Sequence, residues 1–367
     1  MAISLYTAEQ SRQIDRKALQ MYKIPGYELM TRAAQASYSC LLKKWPKAKS
    51  LTVVCGVGNN AGDGFVLANL AFQDQKDVQV IFLGQKEQLK GDALQAYEDL
   101  IKSGFDSFTK TKDFQDRDVI VDAIFGTGLY RDVDGDFKEI ISLINASETP
   151  VLAIDVPSGL NADTGSVMGQ AVRADATVSF IVRKQGLYTA DGPDYCGAIY
   201  FHDLKVPQEA YQEIEPNAQL LDFSEEISHL QKRKKNSNKG SFGKALILGG
   251  DIGMMGAVRL AGEAALRVGA GLVTICTHRD QSFQENPDRP ELIIHADNQI
   301  DSLLQNATTV AVGPGLGQSA WSKAIYSKVI QTNLNLVVDA DALNLLAKDP
   351  IQNKNWILTP HPGEASR

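Results

Sequence analysis

The sequence is short of cysteine and of long apolar runs. Its four cysteines, Cys40, Cys55, Cys196 and Cys276, are far apart among 367 residues, and most of them fall inside apolar segments. This spacing indicates neither a disulfide framework nor a zinc site, so we expect reduced core thiols. No apolar stretch approaches the ~20 residues that cross a bilayer, and the N-terminus lacks a basic flank followed by an apolar core. We therefore expect a cytoplasmic protein without a membrane segment.

Positive charge is also scarce. The 37 lysines and arginines are outnumbered by 44 aspartates and glutamates, which gives a formal net charge of -7. Because nucleic-acid binding requires clustered cations that neutralise phosphates, this balance argues against a nucleic-acid partner. The basic run Lys232-Arg-Lys-Lys235 is compatible with an anion contact, but we favour a solvated linker face.

What the chain does contain is an alternation of strand-length apolar runs and amphipathic segments. Thr7-Ala-Glu-Gln10 predicts a capping box that opens a helix to about Tyr22, and Pro25 starts a second helix that ends near Lys44. From LTVVC onward, strands and helices alternate, which predicts right-handed crossovers and a mostly parallel sheet. We expect an α/β fold for residues 1–206, namely a doubly wound, Rossmann-like three-layer sandwich.

The pattern loosens between residues 207 and 239, where polar and basic runs replace the apolar period. We place a linker there. A second α/β domain follows over residues 240–367, with its first strand in KALILGG and a helix near 255–268. The sequence thus predicts two domains.

The glycine loop after the first strand matches a nucleotide-binding fingerprint only in part. Gly56-Val-Gly58-Asn-Asn-Ala61 fits the G-x-G-x-x-G/A loop that binds a dinucleotide pyrophosphate. An acid for the ribose should end the second strand, but Gly84-Gln85 stands there instead. Asp63, near the start of the next helix, would compete with a pyrophosphate. Asn59 and Asn60 tolerate left-handed backbone and offer carbonyl acceptors, so the loop favours a cation or a hydroxylated ligand.

Two later strand ends carry similar residues. VIVDAIFGTGLYRD places Asp122 shortly before a glycine turn, and VLAIDVPSGLNADTG places Asp155 and Ser158 on another. Open α/β sheets bind ligands at the carboxyl ends of their strands, near a switch in strand order, so we expect the three loops to converge. Asn60, Asp122 and Ser158 would supply oxygen ligands with one formal charge, which favours a monovalent cation over Ca²⁺ or Mg²⁺. Taken singly, these pieces are also compatible with plain turns, helix caps and surface ion pairs.

In combination, GVGNNAGDG, VDAIFGTGLYRD and AIDVPSGLNADTG resemble the family of bifunctional NAD(P)H-hydrate repair enzymes. In that family an NAD(P)HX epimerase domain precedes an ADP-dependent NAD(P)HX dehydratase domain of ribokinase-like fold. The ligand is a nicotinamide nucleotide whose ring is hydrated at C6. The resemblance implies an isomerase that interconverts the R and S hydrates, with K⁺ bound by Asn60, Asp122 and Ser158.

The same resemblance implies the residues that hold the hydrated nucleotide in the epimerase. They are Asn59, Asn60, Ala61, Gly62, Asp63, Gly126, Thr127, Gly128, Leu129, Tyr130, Arg131, Asp132 and Asp155. Epimerisation requires the C6 hydroxyl to leave and return on the other face, or a ring-opened equivalent, so a positioned group must shuttle a proton. Asp132 and Asp155 are the candidate catalytic residues.

The second domain resembles the dehydratase through KGSFGKALILGG, VAVGPGLG, VVDADALN and TPHPGE. The resemblance implies contacts with the hydrated cofactor from Ala257, Gly315, Gly317 and His361. It also implies ADP or ATP with Mg²⁺ as cofactor of this lyase reaction, in which a phosphorylated hydroxyl is eliminated. The family's Gly-Thr/Ser-Gly-Asp turn, which supplies an anion hole and a catalytic base, does not occur in the chain. We therefore expect a C-terminally truncated, incomplete dehydratase domain.

Two other functions fit parts of the sequence. The epimerase fold also serves in non-catalytic nucleotide-binding or scaffold modules, and the second fold alone would fit a small-molecule kinase. The retained Asp122, Asp132 and Asp155 favour the enzyme over the scaffold. Family resemblance further implies a homo-oligomer. No loop offers a clear arginine for a 2′-phosphate, so the sequence does not distinguish NADHX from NADPHX.

Overall fold

The structure, a computed structural model, describes residues 3–109, 117–229, 232–281 and 289–367 and divides the chain into two compact units. Unit 1 comprises Met1–Leu230 and unit 2 comprises Gln231–Arg367. The predicted linker over 207–239 therefore spans the division between the units.

Unit 1 alternates strands with helices along most of its length. Its described strands are β1 (Ile3–Tyr6), β2 (Ser50–Cys55), β3 (Asp77–Phe82), β4 (Phe108–Thr109), β5 (Val119–Ala123), β6 (Val151–Ile154), β7 (Ala176–Phe180), β8 (Arg183–Lys184), β9 (Ala198–His202) and β10 (Ala218–Leu220). Its described helices are α1 (Ala8–Gln20), α2 (Gly26–Lys44), α3 (Asn59–Gln73), α4 (Gly91–Lys102), α5 (Gly135–Ala146), α6 (Gly192–Cys196) and α7 (Phe223–Glu226).

The predicted capping box at the start of α1 is confirmed. Gln10 N donates to Thr7 Oγ1 over 3.2 Å, and Thr7 N donates to Gln10 Oε1 over 2.9 Å. This reciprocal pair satisfies two backbone donors that a helix start would otherwise leave unpaired.

The main sheet of unit 1 is parallel. Within the described residues its strand order is β4-β3-β2-β5-β6-β7-β9, and each neighbouring pair is parallel. The order switches between β2 and β5, since the chain first adds β3 and β4 on one side of β2 and then returns to its other side. One apolar core lies between the sheet and α2, α3 and α4, and another lies under α5. The expected three-layer α/β sandwich is confirmed.

A small second sheet has the order β10-β1-β8. β1 pairs antiparallel with β10 and parallel with β8. The sequence predicted two helices before the first strand and a linker over 207–239, and both expectations differ from the structure, which has β1 before α1 and β10 within that linker. Runs of three or four residues are too short to show an apolar period, so pairing decides these strands.

Unit 2 is the expected second α/β domain. Its described strands are β11 (Lys244–Leu248), β12 (Leu272–Thr277), β13 (Leu292–Ala296), β14 (Thr309–Val312), β15 (Asn335–Val338) and β16 (Trp356–Leu358). Its described helices are α8 (Met255–Val268), α9 (Ile300–Asn306), α10 (Ala320–Ile330), α11 (Ala340–Lys348) and α12 (Pro362–Ala365). The strands form a parallel sheet of order β13-β12-β11-β14-β15-β16 over the described part of the unit, so the order switches between β11 and β14.

The cysteines and the basic run lie where the sequence placed them. All four cysteines are buried free thiols, and Lys232 to Lys235 are exposed. Among the residues that the structure describes, no helix combines the length and the apolar composition that a membrane span requires.

Candidate functional site

A cavity of about 740 Å³ lies at the carboxyl ends of β2, β5 and β6 in unit 1, beside the switch in strand order. We call it the switch-point cavity. Residues from the turns after these strands form one wall, and Arg12 and Asp15 of α1 with Leu29 and Met30 of α2 form another. Its volume lies in the range of small-molecule sites. The switch point is also where doubly wound sheets bind ligands.

Most of the predicted nucleotide-binding residues line this cavity. They are Asn59, Asn60, Asp63, Gly126, Thr127, Gly128, Leu129, Tyr130, Arg131 and Asp155. Ala61 and Gly62 do not line it, because they are buried on α3. A Cβ on Gly62 would lie 2.5 Å from Met30 Cε, so glycine here lets α2 pack closely against α3.

Asp132 lies outside the wall of the switch-point cavity. Its side chain is exposed, whereas the next residue, Val133, is buried and donates its N–H to Met168 O over 2.9 Å. That anchor turns the backbone so that Asp132 faces the surface. Of the two candidate catalytic residues, the structure places Asp155 in the cavity and Asp132 outside it.

The first loop is shorter than the sequence suggested. α3 begins at Asn59, directly after Gly58 in extended conformation (φ -98°, ψ -170°). Both asparagines therefore lie in the first helical turn, and neither has a positive φ. Their tolerance of left-handed backbone is not used, because Gly58 makes the turn into the helix. Asn60 instead donates Nδ2 to Phe125 O over 2.9 Å.

Two of the three predicted metal-binding residues, Asn60 and Ser158, meet at the Phe125 peptide group, and the third, Asp122, is hydrogen-bonded to Ser158. Asp122, at the end of β5, is fully buried and accepts hydrogen bonds from Ser158 Oγ (2.6 Å) and Ser158 N (2.7 Å). Ser158 Oγ accepts from Phe125 N (2.8 Å) and lies 3.2 Å from Phe125 O. Since Asn60 also binds Phe125 O, the three predicted loops converge there.

The electrostatics of this group suit a bound monovalent cation. Burial raises the pKa of Asp122 to about 6, although hydrogen bonds from Ser158 and Ile124 oppose the shift. A nearby cation would favour the charged carboxylate. Asn60 Oδ1 accepts no hydrogen bond from any described residue and so remains available as a ligand oxygen. No group of three or more His, Cys, Asp and Glu side chains within the described ranges could hold a metal ion. The donors here are one carboxylate and neutral oxygens.

Lys184 is the main cavity residue that sequence reasoning missed. Its side chain is 2% exposed, and its Nζ donates to Asp155 Oδ1 and to Phe180 O, the latter over 2.7 Å. The only sequence signal is the basic pair Arg183-Lys184 directly after the apolar run ATVSFIV. A long charged side chain is almost never fully buried without a partner, and the Asp155 carboxylate is the partner of Lys184 here.

The cavity also holds carboxylates from helices that the sequence did not assign to the site. Asp15 of α1 and Asp92 of α4 line it together with Asp63 and Asp155. Burial raises the pKa of Asp63 well above its usual value, Asp155 and Asp15 raise it further, and Lys184 lowers it. Burial likewise raises the pKa of Asp15. Four carboxylates therefore share this cavity with one buried ammonium group.

In unit 2, three of the four predicted cofactor contacts lie near the switch between β11 and β14. A Cβ on Gly315 (φ +57°) would lie 3.2 Å from Ala257 Cβ and 2.5 Å from Met254 O. Gly317 N donates to Asp341 Oδ2 over 2.9 Å. The backbone of this turn thus approaches the start of α8 too closely for a larger residue at position 315.

The fourth predicted contact, His361, follows β16 and caps α12. Gly363 N donates to His361 Nδ1 over 3.0 Å, and His361 N donates to Glu364 Oε2 over 3.0 Å. β15 separates β16 from β14 in the sheet, and the His361 side chain is exposed. The structure therefore gives this side chain a capping role.

Two family models match the chain. The model for the YjeF-related protein N-terminus matches residues 26–186, and the model for NAD(P)H-hydrate dehydratase matches residues 245–367. Because the second model matches this whole range, the expectation of an incomplete, truncated dehydratase domain is not supported.

Proteins named as bifunctional enzymes match nearly the whole of this chain. The bifunctional NAD(P)H-hydrate repair enzyme Nnr of Coxiella burnetii is 46% identical over 368 residues, which cover 99% of this chain and 75% of the relative. The enzyme of the same name from Escherichia coli is 38% identical over 371 residues, which cover 99% of this chain and 71% of the relative. A yeast protein of solved crystal structure matches with a TM-score of 0.51 and 19% identity, covering 59% of this chain and 96% of its own. This last likeness shows the fold alone.

Proposed function

The chain belongs to the family of bifunctional NAD(P)H-hydrate repair enzymes, and on that premise we propose which reaction each of its two units catalyses. It is an enzyme with an epimerase domain and a dehydratase domain, and the non-catalytic scaffold function is not supported. We assign the interconversion of R and S hydrates to the switch-point cavity of unit 1. We assign the dehydration of the S hydrate to unit 2.

The observation that carries the epimerase assignment is a cavity at the switch point whose wall is rich in carboxylates. When the C6 hydroxyl leaves as water, the ring keeps a positive charge shared between C6 and N1. Fixed carboxylates stabilise such a developing cation, and a carboxyl group can supply the proton that the departing oxygen needs. The substrate proposed for the cavity is the hydrated NADH or NADPH that gives the family its name.

Asp155 is the catalytic residue that we favour in unit 1. It lines the cavity, and its side chain is mostly buried beside Lys184. Asp132 is the second candidate, and its exposed position makes it the weaker one. Asn59, Asn60, Asp63 and the turn from Gly126 to Arg131 would hold the nucleotide.

For the cation site we propose K⁺ bound by Asn60 Oδ1, Asp122 and Ser158 Oγ. The support is the meeting of Asn60 and Ser158 at the Phe125 peptide, the bonds from Ser158 to Asp122, and the burial of the Asp122 carboxylate without a cationic partner among the described residues. Bound K⁺ would supply a positive charge that compensates this carboxylate. The chain's own contribution is to tie the turns after β2, β5 and β6 into one fixed rim.

For unit 2 we propose that ADP or ATP with Mg²⁺ supports the dehydration, and that Ala257, Gly315 and Gly317 contact the hydrate. Their support is the close approach of backbone at the β11–β14 switch, where a ligand can reach peptide groups. His361 is proposed with them on the family resemblance only. Assembly into a homo-oligomer stays a prediction.

One assay tests the function. The purified chain is incubated with separated R and S hydrates in K⁺ buffer and in a matched buffer with a bulky organic cation, and the epimers are resolved by chromatography. We expect K⁺-dependent interconversion without nucleotide, and loss of the S hydrate to NADH only after ADP or ATP and Mg²⁺ are added. Absence of interconversion above the uncatalysed rate in K⁺ buffer would contradict the epimerase assignment.

A further inference from the structure

Two turns with unusual backbone face each other across the Lys184 ammonium group. Val156 N donates to Ile154 O (2.8 Å) around Asp155, whose φ is +66°, and Val182 N donates to Phe180 O (2.6 Å) around Ile181, whose φ is +63°. A one-residue turn with positive φ is rare and strained, and for β-branched isoleucine a positive φ is an outlier. Such strain persists only where the surroundings enforce it, and it clusters at functional sites.

Lys184 connects these two turns. Its Nζ donates to Phe180 O of one turn over 2.7 Å and to Asp155 Oδ1 of the other, and Phe180 N also points to Asp155 Oδ1 at 3.4 Å. The ammonium group therefore fixes the Asp155 carboxylate from a direction that leaves Oδ2 without a hydrogen bond from any described residue. Both Asp155 and Lys184 line the switch-point cavity.

Asp63 is another of the four carboxyl groups that line the switch-point cavity. It comes from α3, whereas Asp155 comes from the turn after β6, so the two groups approach the cavity from different elements. No described residue donates a hydrogen bond to Asp63. A partly buried carboxyl group without a donor, close to another carboxylate, is more stable in its neutral form.

Epimerisation by exchange of the hydroxyl requires one acid and one base. The acid protonates the hydroxyl as the C6–O bond breaks, and the electron pair of that bond leaves with the water that forms. The N1 lone pair then makes a C6–N1 double bond. Water adds to C6 on the other face, the double-bond electrons return to N1, and the base takes the surplus proton. One proton leaves the acid and one reaches the base, so no other reactant is needed.

We propose that Lys184 is the positioning residue of this reaction, that it holds Asp155 as the base, and that Asp63 is the acid. The proposal rests on the epimerase function assigned above and names the residues that carry it out. In the opposite direction the roles of Asp63 and Asp155 reverse, because each turnover leaves the proton on the other carboxyl group. Other charged groups that face the pair are Asp15 and Arg12 from α1, Asp92 from α4 and Arg131 from the turn after β5.

The test compares Lys184→Met with Arg183→Met, its neighbour on β8. Arg183 lies over the Phe201 ring at 4.2 Å and does not line the cavity, so it controls for the loss of one positive charge on this strand. We expect Lys184→Met to lower kcat for both directions by about 100-fold or more, the usual loss when acid–base geometry is removed. Arg183→Met should keep the wild-type kcat.

A second readout follows Asp63 directly. The infrared C=O stretch of its protonated carboxyl group is assigned by its loss in Asp63→Asn and is then followed against pH. Lys184 lowers the pKa of Asp63 and Asp155 raises it. The midpoint of the signal should therefore move to higher pH in Lys184→Met and to lower pH in Asp155→Asn. A purely structural role for Lys184 predicts no such opposite shifts.

Lys184→Arg covers the case in which Lys184→Met does not fold. Arginine keeps the charge but changes the position of its donors, so we expect the Asp63 midpoint to stay near that of the wild type while kcat falls. Wild-type kcat in either Lys184 variant, or midpoints that do not move in Asp155→Asn, would overturn the proposal. A wild-type chain that does not interconvert the hydrates would instead contradict the epimerase function itself.

Discussion

Asn60 Nδ2 donates a hydrogen bond to Phe125 O over 2.9 Å, which joins the start of α3 to the turn after β5. The same carbonyl lies 3.2 Å from Ser158 Oγ, on the turn after β6. One peptide group thus connects three strand ends at the switch point. The amide of Asn60 holds this position while its Oδ1 remains free of hydrogen bonds from the described residues.

This relationship predicts the effect of Asn60→Ala. The variant loses one proposed K⁺ ligand and the tie to Phe125, so the K⁺ concentration that gives half-maximal epimerisation should rise by about tenfold, equivalent to ~1.4 kcal/mol. The loss of the hydrogen bond should also cost about 1 kcal/mol of unfolding free energy. Epimerisation rates over a K⁺ series and denaturant melts measure the two effects.

Asn69→Ala is the matched control for Asn60→Ala. Asn69 lies on the same helix, and its side chain accepts a hydrogen bond only from Gln73 among the described residues. It should leave the K⁺ dependence unchanged. If Asn60→Ala kept the K⁺ dependence of the wild type, Asn60 would not be a ligand of the cation.

Asp155→Asn and Asp132→Asn distinguish the two catalytic candidates. Asp155 lines the cavity and Asp132 is exposed beside it, so we expect Asp155→Asn to lower kcat for epimerisation by ~10²-fold or more and Asp132→Asn to change it little. Initial rates from pure R and pure S hydrate check both variants. A large loss in Asp132→Asn together with a small loss in Asp155→Asn would reverse the assignment.

The features that the sequence predicted are local ones. The alternation of strand-like apolar runs with amphipathic segments predicted the α/β sandwich. The acidic residues and glycines that follow three of the strands predicted that three loops converge at the switch point. Parallel strands bring their carboxyl ends to one edge whatever their exact order, so such a site can be inferred without knowing contacts. The capping box of α1 is local in the same sense, because its two residues are three positions apart.

The features that the sequence did not reveal depend on distant pairing. Lys184 reaches the cavity because β8 pairs with β1, with Tyr6 opposite Lys184, and β1 in turn pairs with β10. These strands are too short to show an alternation of apolar and polar residues, so the sequence does not predict them. The exposed position of Asp132 was not evident from the sequence for a related reason, since Val133 beside it is bonded to Met168, in another loop.

The small sheet predicts a remote effect of Asn217→Pro. Asn217 N donates to Leu5 O over 2.9 Å, and proline removes that donor. We expect a loss of about 1–3 kcal/mol of unfolding free energy and a lower kcat, because β1 supports β8 and hence Lys184. Asn217→Ala keeps the backbone N–H and loses only the side-chain contact to Gln185, so it should retain more activity. Equal activity in the two variants would show that the small sheet does not support the position of Lys184 in the site.

Asp63 predicts how stability depends on pH. Burial raises its pKa in the folded chain well above the unfolded value, so its contribution to stability is fully present below the unfolded pKa and is lost as pH rises through the folded pKa. Asp63→Asn cannot ionise and escapes this loss. The melting temperature of Asp63→Asn relative to the wild type should therefore rise from acidic to neutral pH.

Asp194→Asn is the control for this pH dependence. Asp194 is an exposed carboxylate on α6, so its replacement should leave the difference in melting temperature nearly constant with pH. The same constant difference in Asp63→Asn would mean that Asp63 ionises in the folded chain as it does in the unfolded chain.

We expect Gly315→Ala to slow dehydration in unit 2 without slowing epimerisation in unit 1. Gly315 has φ +57°, and a Cβ there would lie 2.5 Å from Met254 O, so alanine must displace the turn after β14. If this turn contacts the hydrate in unit 2, the nucleotide-dependent dehydration of the S hydrate should fall by about tenfold or more, while epimerisation in unit 1 keeps its rate.

Gly256→Ala, on α8 with open space around its Cβ position, should leave both rates unchanged. Steady-state rates of both reactions on the same preparations measure this, and equal dehydration rates in Gly315→Ala and Gly256→Ala would contradict the placement of the hydrate at this turn.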